Sequence, residues 1–160
     1  MEINASMAFG WPDGEIALRL GVATLVGLVM GFDREMKGYD AGLRTHGFVA
    51  LSAALLTVTA LLLYEQMGGP NSNLDPLRVI QGMAEATGIL AAGLIIVRGG
   101  NVKNLTTAAY LWLTATLGIA SGAGFYPLVA IGTAVAVFLL IVIGGLERWL
   151  PEKKRDRDGE

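Results

Sequence analysis

The chain has 160 residues; 53% belong to the apolar set AVILMFWYC, only 16% are charged, and the mean hydropathy is +0.54. A soluble chain this short has too little interior to hide so much apolar surface, and the apolar residues come in runs, which points to lipid as the solvent. Cysteine is absent and His46 is the one histidine, so disulfides, thiol catalysis, Cys-ligated metals and a His-rich metal site within one chain are excluded.

The N-terminus carries Glu2 and Asp13 but no Lys or Arg before the first apolar run, and no small-x-small cleavage site follows. It therefore does not read as a cleavable signal peptide. Five apolar runs follow, at 16–32, 47–63, 79–97, 105–121 and 125–146. Each is close to the ~20 residues that cross ~30 Å of hydrocarbon. The last two are divided at Gly122-Ala123-Gly124, with Pro127 placed as at a helix start.

Charge sets the orientation. Arg34, Lys37 and Arg44 lie between runs one and two, Arg98 and Lys103 between three and four, and Arg148, Lys153, Lys154, Arg155 and Arg157 after run five. In a five-span arrangement all of these share one side; only Arg78 falls on the other, and Arg19 lies inside the first run. The positive-inside rule then predicts an all-α bundle of five transmembrane helices, N-out and C-in. Residues 1–150 form the membrane domain and 151–160 a charged cytoplasmic tail, with Trp149 as an interfacial anchor. The lipid bilayer is the first expected partner, and the bacterial inner membrane the expected location.

Gly27-x-x-x-Gly31 and Gly118-x-x-x-Gly122 each set two glycines on one helix face, as close helix packing in lipid requires. Ala84, Gly88 and Ala92 repeat the spacing in the third run. Packing inside the chain is the primary expectation and a dimer seam the other. A weak internal repeat is also visible at an offset of 62, where Leu43 and Gly31 correspond to Leu105 and Gly93.

Glu85 falls mid-run with Gln81 one turn before it. A carboxylate at that depth costs at least ~2.5 kcal/mol, so it is expected to face the bundle interior or a water-filled cavity. Either it closes a structural pair with Arg19 or with Thr57 or Thr59, or it lies on an ion path. Asp33-Arg34-Glu35 reads as an interfacial ion-pair network including Arg44, or as oxygen ligands for Mg²⁺, which keeps much of its water and needs one or two carboxylates. No other cofactor is indicated.

Thr45 and either Asn104 or Thr106 stand where the second and fourth helices begin, so their oxygens are candidate caps. Helix N-termini favour anions. With Arg44, His46, Arg98, Lys103 and Thr107 nearby, the two loops are a candidate pocket for a phosphate-bearing ligand or lipid headgroup. No phosphate loop, nucleophile elbow or metalloprotease helix occurs, so an enzyme is not expected. Acids offset the basic tail, and nucleic-acid binding has no support.

These same residues resemble the MgtC/SapB family of bacterial inner-membrane proteins. Gly27-Leu28-Val29-Met30-Gly31-Phe32-Asp33-Arg34-Glu35 is similar to the family's first-helix ending, and Ala41-Gly42-Leu43-Arg44-Thr45-His46 to its most recognisable loop. Arg98-Gly99-Gly100 and Leu105-Thr106-Thr107-Ala108-Ala109 with Trp112 are similar to its third-to-fourth helix connection. Gly82 and Glu85-Ala86 depart from the family's small polar residues in the third helix. Several relatives carry a soluble C-terminal domain of ligand-binding type, for which this chain, ending at Glu160, is expected to have no room. The resemblance implies a role under magnesium limitation and an association with virulence, exerted through other membrane proteins. A homo-oligomer, with a dimer favoured, is expected. Ion or solute transport and ligand sensing by the loops are the alternative expectations.

Overall fold

Long apolar stretches with no proline beyond a first turn favour the α-helix, in which each segment satisfies its own backbone polar groups. The computed structural model describes residues 11–39, 41–71, 73, 75–98 and 101–147. Among these residues five α-helices form: α1 (Asp13–Met36), α2 (Leu43–Gln66), α3 (Leu77–Leu94), α4 (Leu105–Gly122) and α5 (Tyr126–Glu147). A 3₁₀ turn, Gly69–Asn71, follows α2. The charged tail, Trp149 and Glu2 lie outside the described residues.

Prolines and acids mark the helix starts. Pro12 precedes α1, whose first turn holds Asp13 and Glu15 against the positive end of the helix dipole. Pro76 precedes α3, where the Asp75 carboxylate accepts the Leu77 N–H at 2.9 Å. The expected break after Gly122 is present: Gly124 takes φ +82° and Pro127 sits in the first turn of α5.

One boundary needs correction. The third run was expected to be helical through Val97, but α3 ends at Leu94 and Ile95 is extended at ψ 119°. Strands β1 (Ile96–Arg98) and β2 (Asn101–Lys103) pair antiparallel, with Val97 opposite Val102. Ile95-Ile96-Val97 is β-branched, and Gly99-Gly100 separates the strands by the two-residue spacing of a hairpin. Periodicity could not see this, because an apolar run looks the same in either state.

The packing is built on small residues. α4 touches each of the other four helices, and α2 lies against both α1 and α4. A methyl added at Gly27 would lie 2.6 Å from the His46 carbonyl, and one at Gly31 2.8 Å from the Gly42 carbonyl, both on α2 or its entry. A methyl at Gly122 would lie 2.7 Å from the Ala54 carbonyl, and one at Gly118 would strike the Ala50 carbonyl. Both glycine pairs are therefore used inside the chain, against α2. Gly88 of α3 has nothing within 4 Å.

Much of the interior is small and many large apolar side chains face out, although Met30, Leu111, Leu117 and Val129 are also buried. Ala23, Ala50, Ala53, Ala54, Ala108 and Ala115 are buried, whereas Leu25, Phe48, Ile89, Ile131, Phe138 and Ile141 are 62–74% exposed. Helices α1 and α2 are long and apolar enough to cross a membrane.

Candidate functional site

Polar side chains collect at the two ends of the bundle. At the end holding the α1 N-terminus, Arg19 Nη1 donates to the Gly122 carbonyl at 2.8 Å and Nε to Glu15 Oε1 at 2.7 Å. Its guanidinium lies 3.8 Å from the centre of the Trp11 ring, and the Tyr126 hydroxyl donates to the same Glu15 oxygen at 3.1 Å. Trp11 Nε1 reaches Glu65 at 3.1 Å. Arg19 is thus a structural tie, not the partner of Glu85.

Glu85 itself requires correction. It is exposed on the outer face of α3, and its hydrogen bond is from Gln81 Nε2 at 2.9 Å. The helix turns Met83, Thr87 and Ala91 inward instead, which at a 3.6-residue period leaves Gln81, Glu85 and Ile89 facing out. Thr57 is occupied by the Ala53 carbonyl at 2.8 Å.

The opposite end joins residues expected at two separate sites. A cavity of about 220 Å³ lies between the C-terminal end of α1 and the N-terminus of α4, closed on one side by Leu139 and Leu140 of α5. Asp33, Arg34 and Lys37 line it together with Asn104, Thr106 and Thr107. Arg34 is 4% exposed, and its guanidinium carbon lies 4.1 Å from the Tyr110 ring centre and 4.6 Å from that of Tyr39. Two aromatic faces therefore engage the cation. Nε has no hydrogen-bond partner.

The two acids flanking Arg34 do not form the expected network with it. Asp33 pairs with Lys37 at 2.8 Å. Glu35 accepts the Leu43 N–H at 3.0 Å, and a side chain at Gly42 would collide with its carboxylate. Glu35 thereby caps α2, a role expected of Thr45; Thr45 lies inside the first turn instead, and α2 begins two residues earlier at Leu43. Residues two apart on a helix point to opposite sides, so Asp33 and Glu35 do not converge on one ion. Among the described residues no group of three or more His, Asp or Glu comes together.

The expected pocket between the α2 and α4 entries is divided as well. His46 is fully buried in the α1–α2 contact, its Nδ1–H donating to the Gly42 carbonyl at 3.0 Å and Nε2 left without a partner. Arg44 is exposed and lines none of the cavity. Arg98 belongs by its backbone to β1, opposite Asn101. Asn104 does stand at the α4 N-cap position, in the left-handed region at φ 63°, yet its side chain makes no capping bond.

Tyr39 and Tyr110 are cavity residues that the sequence did not single out, and Lys37 was named only for its charge. Tyr39 had a signal, five residues beyond Arg34 across the helix end. Tyr110 had none, since only folding brings α4 beside α1.

The sequence profile of the MgtC family matches residues 20–149. Protein SapB of Bacillus subtilis is 38% identical over 133 residues, covering 82% of this chain and 55% of that protein. Protein MgtC of Brucella abortus is 37% identical over 131 residues, with 82% and 51% covered. A protein of Escherichia coli named putative magnesium transporter YhiD is 33% identical over 129 residues, with 80% and 60% covered. The chain thus spans about half to three fifths of the length of these relatives. No solved structure matches it. With four fifths of its length aligned to proteins of that kind, the chain belongs to the MgtC family.

Proposed function

We propose that the chain is a non-enzymatic, five-span inner-membrane protein, N-terminus outside and C-terminus in the cytoplasm, that serves magnesium homeostasis by acting on other membrane proteins. One observation supports the membrane reading above all: many large apolar side chains, among them Leu25, Phe48, Phe138 and Ile141, face outward, while alanines and threonines such as Ala53, Ala115, Thr57 and Thr114 are buried. That is the arrangement by which helices pack in lipid, where burial of large apolar groups gives no advantage. Basic residues at the Lys37 end support the orientation. The names of the relatives support magnesium as the theme. The chain should restore growth to a family-deficient bacterium at limiting Mg²⁺, and co-purification from membranes of those cells should enrich a membrane protein. Restored growth with nothing enriched above background removes the modulating role.

A second reading is direct transport of an ion or small solute, the activity in the name of the E. coli relative. In one chain Glu85 faces away from the other helices, so this reading requires copies to meet across α3, where Gln81 and Glu85 are mutually complementary donor and acceptor. A carboxylate at that depth needs a protein partner rather than lipid. Liposomes holding the chain should pass Mg²⁺ or another ion, and Glu85→Gln should weaken the flux. A flux indifferent to Glu85→Gln removes that residue from the path.

A further inference from the structure

We infer that the cavity between α1 and α4 is a binding site for one phosphate group, carried either by a phospholipid headgroup or by free phosphate. Three features converge there. The amides of Leu105, Thr106 and Thr107 precede the first helical bond of α4, Ala108 N–H to Asn104 O at 2.9 Å, and no side chain caps them. Uncapped amides at the start of an 18-residue helix present aligned donors and the positive end of its dipole. The contrast with α2 is sharp, because there Glu35 already occupies the equivalent place.

The second feature is Arg34, 96% shielded and lining the same cavity. A buried guanidinium is costly unless its donors are satisfied. The Tyr39 and Tyr110 rings engage its charge, and ring contacts leave the in-plane N–H groups as donors. Of those nitrogens, Nε is fully enclosed and has no hydrogen-bond partner. A planar fork of this kind fits phosphate oxygens.

Third, Lys37 lines the cavity and its ammonium has three N–H donors to share beyond its pair with Asp33; among the described lining residues two cations stand with one carboxylate. The volume of about 220 Å³ falls below the roughly 300–1,000 Å³ of pockets for drug-sized ligands. It suits a phosphoryl group, not a nucleotide. Leu139 and Leu140 on the α5 side supply a wall along which an acyl chain can continue. The lipid source rests on the orientation proposed above, which brings this end to the anionic cytoplasmic leaflet; the phosphate chemistry does not.

The test uses the purified full chain with two probes: inorganic phosphate against chloride at equal ionic strength, read by thermal unfolding, and phosphatidylglycerol, read as adducts in native mass spectrometry. Thr106→Glu tethers a carboxylate at the start of α4, where an acid favours the helix, so the variant keeps its fold. It should lower affinity about tenfold or more, the scale of one charge-assisted hydrogen bond. Arg34→Gln should do the same, and Arg44→Ala, outside the cavity, should bind as wild type. A phosphate-dependent rise in unfolding temperature lost in Thr106→Glu assigns free phosphate; adducts alone, lost in the same variant, assign the headgroup. Absence of both responses in wild type, or responses unchanged by Thr106→Glu, overturns the site. Cysteine labelling from either side of the membrane reads the orientation separately.

Discussion

Arg19 ends on the carbonyl of Gly122, 2.8 Å away, and the Ser121 hydroxyl returns a bond of 2.8 Å to the Arg19 carbonyl. The relationship explains how a helix of lipid-like composition tolerates a cation. The amides that follow α4 take the Ile119, Ala120 and Ser121 carbonyls, the guanidinium takes that of Gly122, and the negative end of a helix dipole favours such a cation. Gly124 leaves room for it: a side chain there would lie 2.8 Å from Arg19 Nη2.

Arg19→Met should therefore lower stability by about 2 kcal/mol, the scale of a hydrogen bond to a charged group. Thermal unfolding in detergent checks this. A melting temperature equal to wild type would show that the Gly122 carbonyl finds an equivalent donor in solvent.

Close approach of α4 to α2 predicts a sharp difference among glycines. Gly122→Val should cost about 1–3 kcal/mol through overpacking against Ala54 and Thr57. Gly88→Ala meets nothing within 4 Å and should stabilise α3 by up to ~1 kcal/mol. Equal effects of the two, measured by the same unfolding assay, would mean that α2 and α4 do not pack as described.

Glu35 acts as the cap of α2 by accepting the Leu43 N–H at 3.0 Å. Glu35→Ala should cost about 1 kcal/mol, and Glu35→Gln, which keeps an acceptor oxygen, should recover most of it. Amide hydrogen exchange at Leu43 is the specific readout, faster in the alanine variant and near wild type in the glutamine variant. Loss of Mg²⁺ dependence in growth with no change at Leu43 would instead favour a metal-binding role for this carboxylate.

The outward Gln81–Glu85 pair leads to a test of assembly in a chain that has no cysteine of its own. Glu85→Cys should give disulfide-linked dimers on mild oxidation of native membranes. Ile131→Cys, equally outward at 64% exposure but on α5, should not. Equal cross-linking at both positions would reflect random collision and exclude a dimer through α3.

Much was legible without folding the chain. Apolar runs announced the five helices because each segment satisfies its own backbone polar groups, and the glycine spacing announced close packing for the same local reason. The helix-to-strand change at Ile95 was written in β-branched residues and Gly99-Gly100, yet it lay inside a run whose length alone argued for helix. What only the tertiary structure decided is which polar group meets which. Rotation of α3 about its axis set Glu85 outward, Glu35 reached across a turn to cap α2, and Arg34 met Tyr110 from a distant helix. Those outcomes depend on how helices settle against one another, and small residues let them settle so closely that one methyl group decides the register.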